Sequence, residues 1–329
     1  MHKASQALAR WRARIVWRSA GRLGVCLAGC CIAAALLLGG GAAQSQGQTG
    51  PDSDAVRRGA TVFHAGGCYS CHTDSKNGGA PLAGGRALRT PFGVIYSPNI
   101  TPDTETGIGG WSLEDLKRAL HQGVAPDGSH YFPAFPYTSF TLMTDADVAD
   151  LKAYLDSVTP VRQANQPHEI TPPFGWRVLL LPWKWLFFDE GRYQPDPDRS
   201  ARWNRGAYLA NALAHCGECH TARNFLGALD RDLWFAGTED GPEGARAPNI
   251  TPDAATGIGR WSDSDLVHLL KTGFMPDFDN VQGLMAEAVD DSYSHLSDED
   301  LGAIAAYVLA LEPIEHQVER KSGGGSAYD

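Results

Sequence analysis

The chain has 329 residues, enough for about two domains of ordinary size, each able to bury its own core. Hydrophobic residues make up 43% and charged residues 20%, a balance that excludes disorder throughout. The formal net charge is −10, and without the six basic residues that precede residue 44 it is −16, which disfavours nucleic acid as a partner and favours a basic protein surface.

Lys3, Arg10, Arg12, Arg14, Arg18 and Arg22 lead into Leu23 to Ala43, LGVCLAGCCIAAALLLGGGAA, an uncharged apolar run. The run is long enough to span a bilayer. It closes on Gly41-Ala42-Ala43, small residues that suit signal peptidase, so residues 1–45 are expected to be a signal peptide or a membrane anchor. Leu27-Ala28-Gly29-Cys30 resembles a lipoprotein processing box, but it follows Arg22 closely and apolar residues continue past it. No Arg-Arg pair precedes the run, which fits Sec-type export. Cys26, Cys30 and Cys31 fall within it and need no redox role there.

The other four cysteines lie in Cys68-Tyr69-Ser70-Cys71-His72 and Cys216-Gly217-Glu218-Cys219-His220, two copies of C-x-x-C-H. This is the attachment signature of c-type haem. The three-residue step puts both sulfurs on one side of a helical turn, where each thiol can add across a vinyl group, and the next residue offers its imidazole to the iron. A zinc site would use the paired cysteines but not the His after each second one. A redox dithiol needs a βαβ context that the sequence does not offer. Two covalently bound haem c groups are expected, held by Cys68, Cys71 and His72 and by Cys216, Cys219 and His220.

The chain repeats itself. Ser97-Pro98-Asn99-Ile100-Thr101-Pro102-Asp103, continuing to Trp111-Ser112, recurs from Ala247-Pro248-Asn249-Ile250-Thr251-Pro252-Asp253 to Trp261-Ser262 at an offset of 150. Both Asn-Ile-Thr triplets match the glycosylation pattern, but they read better as loops packed on a haem edge. Ser112 to Asp115, Thr144 to Asp147, Ser262 to Asp265 and Ser297 to Asp300 have the capping-box form and predict four helix starts. Leu301, Ile304, Ala305 and Val308 follow helical spacing in the last of these, as Val148, Leu151 and Leu155 do in the first copy. No comparable run of alternating apolar residues appears, so an all-α fold is expected. Between the copies, Phe174 to Phe188 is the most aromatic stretch, read either as a linker helix packed on both halves or as a membrane or partner-docking surface.

The sixth iron ligands differ between the copies. Met285 lies ahead of the last helix and is the candidate for the second haem. Its counterpart 150 positions earlier is Phe135, which has no lone pair to offer. Met143 is the nearest replacement, although it also sits where a hydrophobic staple would, immediately before Thr144. His130 would give a bis-His site instead, and an open iron is a third possibility. Met ligation raises a haem potential relative to His, so the second haem is expected to be the higher of the two.

The paired motifs, the two PNITPD loops, Tyr131-Phe132-Pro133-Ala134-Phe135-Pro136-Tyr137 and Trp203-Asn204-Arg205-Gly206-Ala207-Tyr208-Leu209 together resemble the multihaem cytochrome c subunits of bacterial membrane-associated alcohol and aldehyde dehydrogenases. The resemblance covers nearly all of the chain after the leader. It departs from the family in having two haem motifs where three are typical, and in reading Pro-Ala-Phe-Pro-Tyr where the family has Pro-Ala-Met-Pro-Tyr. With the offset of 150 and one motif in each copy, two tandem cytochrome c domains are expected at 46–160 and 201–316, joined by an aromatic-rich linker at 161–200, and Ser322-Gly323-Gly324-Gly325-Ser326 marks a flexible tail at 317–329. The resemblance implies a periplasmic or periplasm-facing electron carrier, without nucleic acid, that takes electrons from a dehydrogenase and delivers them to a cytochrome, quinone or oxidase. Membrane association would run through residues 23–43. The rival expectation is a dihaem redox enzyme, peroxidase-like or thiosulfate-oxidising, working at an open first iron.

Overall fold

In each half of the chain an early helix crosses a late one at a glycine. The computed structural model describes residues 53–319, so the expected leader and most of the expected tail lie outside the described residues. In the first half, α1 (Ser53–Ala65) buries Gly59, Val62, Phe63 and Ala65. A short turn of helix, α2 (Cys68–His72), carries the first motif. Strands β1 (Ala87–Thr90) and β2 (Gly93–Tyr96) pair antiparallel, with Leu88 opposite Ile95. Then come α3 (Leu113–Gln122), the single turn α4 (Tyr137–Phe140) and α5 (Asp145–Ser157).

A two-residue strand β3 (Glu169–Ile170) adds to β2, and the connector then forms α6 (Leu180–Phe187). The second half repeats the first with α7 (Ala201–Tyr208), α8 (Gly217–His220), α9 (Asp263–Thr272), α10 (Gly283–Asp291) and α11 (Asp298–Val308). After α7 the helix widens into a π turn over Leu209–Leu213, all but one of whose residues are buried. Among the described residues no helix is long and apolar enough to cross a membrane.

The expected helix starts are where the sequence put them. Ser112 and Ser262 each accept from the N–H three residues on, and Asp115 and Asp265 return the bond to the cap backbone N–H. Thr144 and Ser297 accept from the N–H groups of Asp147 and Asp300. Val148, Leu151, Leu155, Leu301, Ile304, Ala305 and Val308 are all buried.

The expectation of an all-α fold needs correction. The molecule is mostly helical, but it carries a three-stranded antiparallel sheet in the order β1-β2-β3. Its strands are too short to show an alternating pattern, and a turn does the specifying: Gly93 has φ of 130°, and Thr90 accepts from the Phe92 N–H while donating to Gly93 O.

Packing between the first and last helices of each half is as close as backbones allow. A Cβ on Gly59 would lie 1.9 Å from Asp150 O in α5, and one on Gly206 of α7 would lie 1.8 Å from Ala303 O in α11. Ion pairs flank both crossings: Arg58 grips Asp150 with two bonds, and Arg205 does the same to Asp300. Gly206→Ala should therefore force α7 and α11 apart and lower the unfolding free energy of the haem-loaded protein by about 3 kcal/mol, read from its denaturant midpoint.

Candidate functional site

Both motifs are entered through a left-handed residue, Gly67 at φ 61° and His215 at φ 38°, which turns the chain sharply into the helical turn that follows. The axial candidates are then held identically. His72 Nδ1 bonds Pro98 O at 2.8 Å, and His220 Nδ1 bonds Pro248 O at 2.9 Å. A carbonyl can only accept, so the proton sits on Nδ1 in both rings and the Nε2 lone pair is free for a metal. The two prolines belong to the repeated PNITPD loops, which explains that repeat.

Those loops are stiffened from within. Asn99 Oδ1 accepts from the Thr101 N–H and hydroxyl, while its Nδ2 donates to Val161 O and to Thr106 Oγ1. Asn249 repeats this with Thr251, Ile314 O and Thr256. Both asparagines are buried and fully used, as structural loop residues rather than glycosylation acceptors.

Among the described residues none of the four motif cysteines is in a disulfide. Burial, with Cys71 adding to it, pushes the Cys68 thiol up to about 12; burial likewise pushes Cys216 and Cys219 up to about 12 and raises Cys71. Yet none of the four is closed off, since Cys71 is exposed and the others are half-exposed. Raised thiol values oppose a thiolate metal site, which needs deprotonated sulfur, and suit uncharged thioether links to an apolar ring. Among the described residues no group of three or more His, Cys, Asp and Glu could hold a metal ion. With two sulfurs and one imidazole of fixed tautomer in each motif, the residues present fit haem c.

Side chains also tie the two halves together around the motifs. Burial lowers the His215 imidazole, opposed by Glu218 and by the Gly66 backbone just before the first motif. His64 of α1 stacks on His295 at 4.1 Å and bonds Asp291 O. Arg86 lies between Glu243 and Glu287, at 3.3 and 2.7 Å, and also donates to Ser70 O inside the first motif. Glu218 is buried beside Thr138, Ser139 and Arg223, tying the second motif to α4. No sequence signal marks Arg86 or Glu218, because their partners are 157 and 80 positions away.

The candidate sixth ligands fall in different settings. Met285 is half-buried on α10 and packs against the core, as does Met275 on the preceding loop. Met143 is fully buried next to the cap Thr144, with Val148 buried four residues further into the helix, as a staple requires, and Leu296 with Leu301 repeats the arrangement. Phe135 stands edge-on to Tyr131 and Phe140. His130 is engaged elsewhere: its Nδ1 is 2.8 Å from Lys184 Nζ, whose other bonds go to Gln122 O and Gly123 O. Accepting from the ammonium leaves the imidazole proton on Nε2, so neither nitrogen offers iron a lone pair. Burial lowers Lys184 to about 8, which keeps it charged at neutral pH.

Comparison with known proteins agrees with this geometry. The cytochrome c family profile matches residues 56–159. A dihaem cytochrome c-type protein of Cereibacter sphaeroides is 45% identical over 267 residues, covering 78% of this chain and 86% of that one. One of the nicotinate dehydrogenase subunits of Pseudomonas putida is 46% identical, covering 78% of this chain and 21% of its own. For the fructose dehydrogenase cytochrome subunit of Gluconobacter japonicus the identity is 42%, with 78% and 52% covered. The chain thus spans about half the fructose dehydrogenase subunit and about a fifth of the nicotinate dehydrogenase one.

Glu218 gives a pH-dependent expectation. Although burial opposes it, Arg223 and the hydroxyl of Thr138 hold this carboxyl below its usual range. A depressed folded-state pKa contributes stability above the unfolded value and loses it as pH falls through the folded one. Glu218→Gln should cost about 3 kcal/mol at pH 7 by removing the charge partner of Arg223, which keeps its bonds to Gly227 O and to the backbone O of residue 218, and the gap to the parent protein should narrow steadily below about pH 4.5 in urea titrations.

Proposed function

Since the chain belongs to the dihaem cytochrome c family and binds haem c covalently, we propose that it is an electron relay, taking single electrons from a partner dehydrogenase and passing them to a respiratory acceptor. The observation that carries this reading is the tie between the two haem-binding halves through Arg86, which donates to Ser70 O inside the first motif and pairs with Glu243 and Glu287 of the second half. Two redox centres so placed suit passage of charge along the chain.

Cys68 and Cys71, and Cys216 and Cys219, would hold the two porphyrins as thioethers, with His72 and His220 as axial ligands. Bound in this way, haem c supplies reversible one-electron iron chemistry. The Pro98 and Pro248 carbonyls keep each imidazole in one tautomer and increase its basicity towards iron. Met285 is assigned to the second centre. Met143 is the assignment for the first, by elimination of Phe135 and His130.

Residues 46–160 and 201–316 are read as tandem cytochrome c domains about the 161–200 connector, whose helix α6 reaches both: Lys184 donates to Gln122 O and Gly123 O, and Trp183 to Leu226 O. The donor is a dehydrogenase, by analogy with the cytochrome subunits of fructose, gluconate and alcohol dehydrogenases. The acceptor is a cytochrome, a quinone or an oxidase. Residues 23–43 place the protein in the periplasm, either as a cleaved signal or as an anchor in the inner membrane.

The test is spectroscopic. Pyridine haemochrome should report two haems per chain, both irons low-spin and six-coordinate, and peroxide should not be turned over; one haem per chain, or a high-spin iron with peroxidase activity, would overturn the relay. Met285→Ala should abolish the methionine-to-iron absorption band of the second haem. Met143→Ala should abolish that of the first, and an unchanged spectrum there would return Met143 to a purely packing role.

A further inference from the structure

The loop between α9 and α10 repeats the loop between α3 and α4, and the difference between them is informative. Phe274 bridges Asn280 as Val124 bridges His130. In both loops the same two bonds close the turn: Met275 N to Asp279 O and Phe278 N to Met275 O, matching Ala125 N to Ser129 O and Gly128 N to Ala125 O. The pivot is left-handed in both, with φ of 84° at Gly128 and 67° at Phe278. Glycine adopts that conformation freely and phenylalanine does not.

Nothing among the described residues compensates the strain at Phe278. Four other non-glycine residues described are left-handed, and each is tied down. Leu82 and Phe235 are buried, Glu243 pairs with Arg86, and His215 stands edge-on to Phe140. Phe278 is 94% exposed and Phe274 is 52% exposed. A strained conformation presenting an aromatic ring to water points to a contact made elsewhere.

The first copy shows what meets the ends of such a loop. There the connector bonds both ends, with Arg177 donating to His130 O and Lys184 to Gly123 O and His130 Nδ1, while residues 126–128 at the tip are exposed. The groups that meet it are basic. In the second copy residues 276–280 are all exposed, and no described segment covers them. Residues 273–290 contain no Lys or Arg, and of their four acids Asp277, Asp279, Glu287 and Asp290 only Glu287 is ion-paired among the described residues, with Arg86 and Lys76. Met285, the ligand assigned to the second haem, lies only five residues beyond Asn280 at the end of the loop.

We propose that Phe274 and Phe278, with Asp277 and Asp279 around them, form the docking anchor for a small redox protein whose apolar cofactor edge is ringed by lysines, and that electrons cross to it from the second haem. The inference rests on the relay reading. The aromatic pair supplies the desolvated centre of the contact, and the carboxylates steer the encounter.

The probe is a lysine-rich mitochondrial cytochrome c, oxidised and mixed by stopped flow with the fully reduced haem-loaded chain. Phe278→Gly, which installs the first copy's residue, should slow the second-order reaction about tenfold while leaving the second haem's spectrum and potential unchanged and the thermal midpoint unchanged or higher. Phe274→Val should slow it less, and Asp277→Asn with Asp279→Asn should flatten its dependence on salt. An unchanged rate in Phe278→Gly would overturn the proposal. So would a lower thermal midpoint or a shifted second-haem potential, either of which makes Phe278 a packing residue. A dimer by sedimentation that Phe278→Gly dissolves would give the face to a second copy instead. If the parent chain exchanges electrons with small dyes but not with the probe, the docking site fails and the relay stands; failure with the dyes as well removes the relay itself.

Discussion

One hydrogen bond, made twice, organises the chemistry of this protein: an imidazole N–H to a proline carbonyl, from His72 to Pro98 and from His220 to Pro248. It selects the tautomer, sets the plane of the ring and leaves one nitrogen available to iron. The bond is only as precise as the loop that accepts it. Asn99 and Asn249 supply that precision by filling their own turns with hydrogen bonds and by reaching the segment that follows the last helix of each half, at Val161 O and Ile314 O. The repeated loop therefore connects each axial imidazole to the far end of its own half.

The scaffold around these bonds depends on close backbone approach. Gly59 and Gly206 let the first and last helices of each half touch at main-chain distance, leaving no room for even a methyl group. This contact brings together segments about a hundred residues apart, and Arg58 with Asp150 and Arg205 with Asp300 fix its register. Each half then has a rigid helix pair beside its motif turn and proline loop.

The two halves are alike in these respects and differ in how their surfaces are used. In the first half the connector bonds the ends of the loop between α3 and α4, and the three N–H groups of Lys184 find three acceptors beside the Tyr137 ring. Such a saturated ammonium locks α6 in place and occupies His130. The equivalent face of the second half lies open among the described residues. A duplicated fold has in this way given one copy an internal partner and left the other copy a surface.

Much of this was legible in the sequence. The C-x-x-C-H pairs, the offset of 150, the four capping signals and the buried positions of α5 and α11 are local patterns, because covalent attachment, capping and helical spacing act within a few residues. The short sheet was not legible, since a four-residue strand carries too little alternation and a single glycine turn specifies it. The competition for His130 was equally hidden, as it depends on a lysine 54 positions away. Local pattern was enough for the cofactor chemistry and its two places of attachment. That Arg86 and Glu218 join the halves, and which loop faces solvent, came from folding alone, because those contacts arise from the packing of segments that no local pattern relates.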